Sequence, residues 1–292
     1  YQVTRGNHAF LTENVNAPLP GIYDPSPPMS GVRPYGGNQN IYEFVSEGVY
    51  RSRRLSFNAT LRPSPWFTAF GYYTLRYDKS DAEPGGGFPS DQYDLGADYG
   101  RSLDDVRNTL TLGATTNLPF GFHSWGYLHA LSGAPFNIVV GQDLNGDTQF
   151  NSRPAFATDL SRPSVVETKW GTFDTDPIAG QTIIPRDYGT GPSYFLVNLA
   201  VGRSFYLGRA PGAAALSSTG AGGAQKAAAQ GSGAPKYLVE FWLESQNLLN
   251  HPNPATPIGT LNSPLFGRSI ALAGSSALSP DRIVDMQLSL QF

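Results

Sequence analysis

The sequence predicts an all-β fold, the C-terminal part of a large antiparallel transmembrane β-barrel, and three observations carry that expectation. Its recognisable strands alternate one apolar row with one neutral polar row, the two-residue period of a strand that is greasy on one side and wet on the other. Only 15% of its 292 residues are charged, against about a quarter in soluble domains. Mean hydropathy is nevertheless only -0.27, and no run of about eighteen apolar residues occurs, which excludes a membrane-helix protein. Finally, the connections between strands alternate in length. That asymmetry separates the periplasmic turns of such barrels from their exterior loops.

Taken in order, residues 1–5 read as the end of a strand and residues 6–40, rich in Pro, Asn and Gly, as a long loop with a short β arm over 41–50. Residues 54–62 alternate most cleanly. Leu55, Phe57, Ala59 and Leu61 oppose Arg54, Ser56, Asn58, Thr60 and Arg62, so all charge lies on one face. Pro63-Ser64-Pro65 turns the chain, and residues 66–77 return with aromatics bunched at both ends, as interfacial girdles require. After a loop over 78–105, residues 106–118 set Leu110, Leu112, Ala114 and Leu118 against threonines and Asn117. Pro119-Phe120-Gly121 is a tight turn into a strand over 122–131, followed by an extended excursion over 132–193.

Residues 194–205 place Phe195, Val197, Leu199, Val201 and Phe205 in one row, which Arg203 interrupts near the strand end, where its guanidinium can snorkel. Residues 207–235 are low-complexity Gly, Ala, Ser and Gln, expected as a periplasmic turn or linker. Residues 236–247 direct Leu238, Glu240, Trp242, Glu244 and Gln246 to one face. The loop 250–281 leads to IVDMQLSLQF, in which Val284, Met286, Leu288, Leu290 and Phe292 form an apolar row. That ending resembles the insertion signal that outer-membrane proteins present to the barrel-assembly machinery. The count is seven strands and the end of an eighth, an open curved sheet whose two edges cannot sit in lipid unpaired.

Four blocks carry a wider resemblance: NVNAPLPGIYDPSPPMSGVRPYGGNQNIYEF, GQDLNGDTQFNSRPAFATDLSRPS, IIPRDYGTGPSYFLVNLAVGRSF and ESQNLLNHPNPATPIGTLNSPLFGRS. In this order they resemble the C-terminal barrel region of Oar-like TonB-dependent transporters of the acidobacterial type. The resemblance implies a barrel of about 22 strands, with residues 1–292 as its last third. It also implies a signal peptide, a regulatory-like domain, a plug and a TonB box, none of them in these residues. The expected function is energised uptake across the Gram-negative outer membrane. This stretch would supply lumen wall and exterior capture loops, with outer-membrane lipid, TonB acting through the plug, and an unidentified exterior substrate as partners.

Candidate lumen or substrate residues are Glu240, Trp242, Glu244 and Arg62, with Ser56, Asn58 and Thr60 beside them and Tyr35, Tyr42 and Tyr50 in the first loop. Met286, Leu288, Leu290 and Phe292 are the insertion-signal residues. Asp143, Asn145 and Asp147 place oxygens at alternate positions, as calcium loops do. Pro154 stands where an EF-hand has its bidentate Glu, and an Asx-rich turn accounts for the same residues, so a structural Ca²⁺ is an expectation with an alternative. No catalytic or cofactor motif is present: there is no G-x-S-x-G, H-E-x-x-H or P-loop, and the four histidines lie in separate segments. A net charge of -3 argues against nucleic acid. The competing expectations are an adhesive or envelope-structural barrel and a secreted glycan-binding β-sandwich. The sandwich would turn its apolar rows toward each other.

Overall fold

The computed structural model describes residues 1–21, 31–82, 86–208, 237–274 and 280–292. Eight long strands dominate it: β1 (Gln2–Asn14), β2 (Tyr42–Ser64), β3 (Phe67–Ser80), β4 (Asn108–Asn117), β5 (Phe122–Leu131), β6 (Tyr194–Leu207), β7 (Tyr237–Gln246) and β8 (Ile283–Gln291). They pair antiparallel in sequence order from β1 to β8. A two-residue strand, Gly100–Arg101, adds to the upper end of β3. Among the described residues β1 and β8 each have one neighbour, so the sheet is open.

Register decides which row faces where. In β6, Leu196 and Ala200 are fully buried and Asn198 and Ser204 nearly so, whereas Leu199, Val201 and Phe205 are about 40% exposed. The buried row of β6 pairs with His123, Trp125, Tyr127 and His129 of β5 and with Glu240, Trp242 and Glu244 of β7. The exposed row pairs with Phe241 and Leu243. The apolar rows are therefore outermost. This is the arrangement hydrocarbon requires and a sandwich forbids. Two glycines belong to the tight inner row: a Cβ on Gly113 would collide with the Phe70 ring, and one on Gly202 with His123 and Trp242.

Arg203 is the exception in the outward row of β6. Its guanidinium lies 4.7 Å from the Phe122 ring and 4.6 Å from the Phe205 ring, and it stands directly opposite Phe241. The charge faces aromatic π density at the short-turn end instead of bare hydrocarbon.

Three sequence expectations need correction. The first strand runs to Asn14, and β2 is continuous for 23 residues, absorbing the separate arm expected over 41–50. The long β1–β2 hairpin was masked by two adjacent bulges, one at His8, whose φ is 64°, and one at Glu47 of β2; each extra residue breaks the period-two count of its strand. His8 Nδ1 lies 2.9 Å from the Ser46 carbonyl, and Ser46 Oγ donates back to the His8 carbonyl. The turn expected at residues 63–65 begins later, because β2 continues through Ser64 before the chain reverses at Pro65 and Trp66. The low-complexity segment 207–235 lies outside the described residues apart from Leu207, which ends β6, and Gly208.

The excursion over 132–193 carries small sheets of its own. Ala155–Phe156, Gly171–Asp174 and Val165–Thr168 form a small three-stranded sheet, and Gly189–Thr190 pairs with Pro135–Phe136. Phe136, Ile138, Phe173, Ile184 and Leu261 make a buried cluster, flanked by Trp170 and Phe266. Trp170 stands edge-on to Phe136 at 5.0 Å and to Phe266 at 5.5 Å. The chain's hydrophobic core thus belongs to the long-loop end, above the sheet.

The two faces of one strand predict opposite responses to the same charge. Ala59, outward and opposite Gly71, changed to Arg should destabilise the folded protein in lipid vesicles by roughly 2–4 kcal/mol. Asn58→Arg, one residue away and inward, should cost less than ~1 kcal/mol. Equal losses in urea unfolding would contradict the assignment of faces.

Candidate lumen wall and exterior cap

On the inner face Glu240 is 2% exposed and accepts a 3.0 Å hydrogen bond from Ser204 Oγ. Trp242, 7% exposed, stands edge-on to His123 at 4.3 Å. Both sequence-proposed residues face inward, and both are engaged in wall packing. Glu244 is half-buried and sits directly opposite Asp285 of β8, so two carboxylates adjoin on the inner surface. Arg62 is exposed, beside the irregular step between Leu61 and Ser64 at the short-turn end, far along the strand from the loops. Higher on the wall, Asn198 Nδ2 donates to Tyr127 Oη at 3.0 Å and Asn198 Oδ1 accepts from the Asn247 amide, while Thr111 Oγ1 lies 2.9 Å from His129 Nδ1. Met286, Leu288, Leu290 and Phe292 are 61–90% exposed in the outward row.

The long loops are joined into one cap. Arg33 donates to the carbonyls of Asn16 and Gly146, and Asn14 Nδ2 donates to the carbonyl of Asp147. Asn40 Nδ2 reaches Thr148 Oγ1 at 2.6 Å, and Asn151 Nδ2 reaches the carbonyls of Phe88 and Pro89. Of the loop tyrosines, Tyr35 is 70% exposed, whereas Tyr42 lies edge-on to Phe88 and Tyr50 donates to Asp78 Oδ2.

The Asp143 turn holds its oxygens within this network. Asp143 accepts from the amides of Gly146 (2.7 Å) and Thr148 (2.9 Å). Asp147 accepts from the Gln149 amide and from Gln92 Nε2, and Asn145 Nδ2 donates to the Ser90 carbonyl. A cation here would compete with those donors. Among the described residues no three His, Cys, Asp or Glu side chains converge as a metal site. Burial pushes the Asp147 carboxyl above its ordinary range, against the Gln149 and Gln92 hydrogen bonds.

Residue-by-residue reading of the sequence missed a buried ionic network. Arg153 Nη2 lies 2.6 Å from Asp98 Oδ1 and donates to the Ala97 carbonyl, with both side chains almost wholly buried. Arg186 donates to the Asp81 carbonyl and approaches Asp187 at 3.7 Å. Burial pushes Asp187 up to about 6 despite Arg186, Arg153 and Arg101 nearby. Nothing in the local sequence signals this, because the partners come from two loops about fifty to a hundred residues apart.

An outward apolar row, a polar inner wall and loops gathered at one end describe a membrane barrel, and comparison with known families agrees. A model of the outer membrane beta barrel domain matches residues 1–211. The chain belongs to that family. Its location is accordingly the outer membrane, and in an outer-membrane barrel the long-loop end faces the exterior. No curated protein and no solved structure matches the chain.

Two measurements probe the cap of this outer-membrane barrel. Asp187 binds its proton more tightly folded than unfolded. Its contribution is therefore fully present below the ordinary value of 3.8 and is lost as pH rises through about 6. Protease resistance of the loops should fall between about pH 4 and 6, by on the order of 2–3 kcal/mol in opening free energy. Asp187→Asn should flatten that dependence, since Asn tolerates the residue's φ of 51°. Separately, Arg153→Met strands a buried carboxylate and should cost about 3–5 kcal/mol of cap stability. Adding Asp98→Leu should recover part of that loss, and a double variant no better than the single would refute the pairing.

Proposed function

We propose that the chain forms the lumen wall and exterior capture surface of a TonB-dependent outer-membrane transporter, whose plug and TonB-contacting segment are carried by other parts of the protein. The observation that carries this reading is the cap above a polar wall: hydrogen bonds from Arg33 and Asn14 tie the first long connection to the third, a buried Arg153–Asp98 pair ties the second to the third, and a buried hydrophobic cluster ties the third to the fourth. Such a preordered exterior surface suits capture, because the ordering entropy of the loops is met in folding and not at binding. The resemblance of four sequence blocks to Oar-like transporters supports the energised type. Among the described residues β1 and β8 each keep an unpaired edge, which supports a larger barrel, since an open edge in hydrocarbon is expensive.

The test is genetic and energetic. Deleting the gene should impair growth on one member of a panel of scarce solutes, and loss of TonB should reproduce the same defect. A deletion that leaves uptake intact but abolishes surface attachment would assign the barrel to adhesion instead. The Asp143 turn is proposed to hold by its own amide donors, so chelators should leave the cap's protease resistance unchanged. Protection that appears with calcium and vanishes with chelator would assign Asp143, Asn145 and Asp147 to a cation.

A further inference from the structure

The outward face of β1, β2 and β3 carries a cluster of cations where an outer-membrane barrel meets the outer leaflet. Arg5 stands opposite Arg51, Arg51 opposite Lys79, and Lys79 opposite Arg101, one transverse row of four positive residues on adjacent strands. Arg53 lies in the next outward position, opposite Tyr77. Like charges directly opposed across strands destabilise a sheet. Arg101 has a carboxylate partner in Asp105 at 2.8 Å. Arg5, Arg51, Arg53 and Lys79 are exposed and form no ion pair among the described residues. Above the row, Asp81 is buried and accepts from the Val49 amide at 2.6 Å, and the next acidic residue along β2 is Glu47, four residues up in a bulge and about 13 Å away.

Below this row the face turns apolar. From Leu55 to Pro63 the outward row of β2 covers about 27 Å of strand, or about 20 Å of height at the usual tilt, close to the ~25 Å apolar band of outer-membrane barrels. Arg53 and Arg51 therefore stand at head-group height. Between the two zones is a cavity of about 560 Å³, with Arg51 and Lys79 at its upper end, Arg53 and Tyr77 level with each other, and Leu55 and Leu75 at its lower end; the Arg107 guanidinium, paired with Asp105, lies 4.0 Å from the Tyr77 ring. Lys79 also lies 5.8 Å from the Tyr99 ring. A cavity cationic at its upper end and apolar at its lower end, opening outward at this depth, fits an amphiphile with an anionic head and a hydrocarbon tail.

We propose that this site binds the phosphorylated glycolipid of the outer leaflet, with Arg51, Arg53 and Lys79 holding a phosphate and Leu55 and Leu75 receiving the first part of an acyl chain. The lipid phosphate supplies the counter-charge that the opposed row lacks. The site faces away from the lumen and is independent of what the barrel transports.

The test is a titration of the full-length protein in neutral detergent with diphosphoryl lipid A, dephosphorylated lipid A and inorganic phosphate, read by native mass spectrometry. The diphosphoryl lipid should bind preferentially, and inorganic phosphate at equal concentration should not displace it. R51Q/R53Q/K79Q should bind roughly 100-fold more weakly, since each cation at a charged membrane surface contributes about a factor of five. Heat-modifiable migration should show that the variant still folds. Equal binding of the two lipids overturns the proposal, as does full displacement by inorganic phosphate or unchanged affinity in the variant. The wild-type comparison of the two lipids decides the matter even if the variant fails to fold.

Discussion

Hydrocarbon forms no hydrogen bonds and solvates charge poorly, and the rest of this molecule depends on that. Each strand can meet it only if its backbone groups are paired laterally and one row of side chains is apolar. The eight-stranded meander satisfies the first demand through its continuous ladder. The exposed row of Leu199, Val201, Phe205, Phe241, Leu243, Met286 and Leu288 satisfies the second. Even the exception follows the same rule, because Arg203 is admitted to the outward row only where the rings of Phe122 and Phe205 can face its charge.

Turning the apolar rows outward removes them from the interior, so the protein cannot build its core inside the sheet as a soluble β domain would. Its buried aliphatic and aromatic cluster lies instead in the long connections, where Phe136, Ile138, Phe173 and Ile184 pack with Leu261 from a different loop. That clustering draws polar groups out of water as well. The cap answers with paired or hydrogen-bonded charges such as Arg153–Asp98, and it tolerates Asp187, whose ionised form burial disfavours. The division of labour is physical: lateral hydrogen bonds and lipid hold the wall, while a small conventional core holds the exterior surface.

The outward face is uneven along its height. Apart from Arg203, its lower and middle rows are apolar. Its upper row on β1–β3 is cationic, and only the Arg101 end of that row meets a carboxylate. A barrel wall is thus also a surface with its own chemistry toward the leaflet, distinct from the polar inner wall formed by Glu240, Glu244 and Asn198.

Much of the wall was legible from residue order, because a period of two is a local property that each strand carries alone. The segregation of Arg54 and Arg62 from Leu55, Phe57 and Leu61 named the two faces of β2, and the row from Val284 to Phe292 named those of β8. Where extra residues at His8 and Glu47 broke the period, the same reading lost half a hairpin. The cap and the cation row were not legible, because each depends on which residues from distant segments become neighbours. Arg153 meets Asp98, and Arg5, Arg51 and Lys79 align, only once strand register and loop packing are set. The sequence by itself determined which side of β2, β4, β6, β7 and β8 meets lipid, since that follows from alternation alone. Only the tertiary structure decided what the loops build together and which charges lie side by side, since those are long-range pairings that no local pattern encodes.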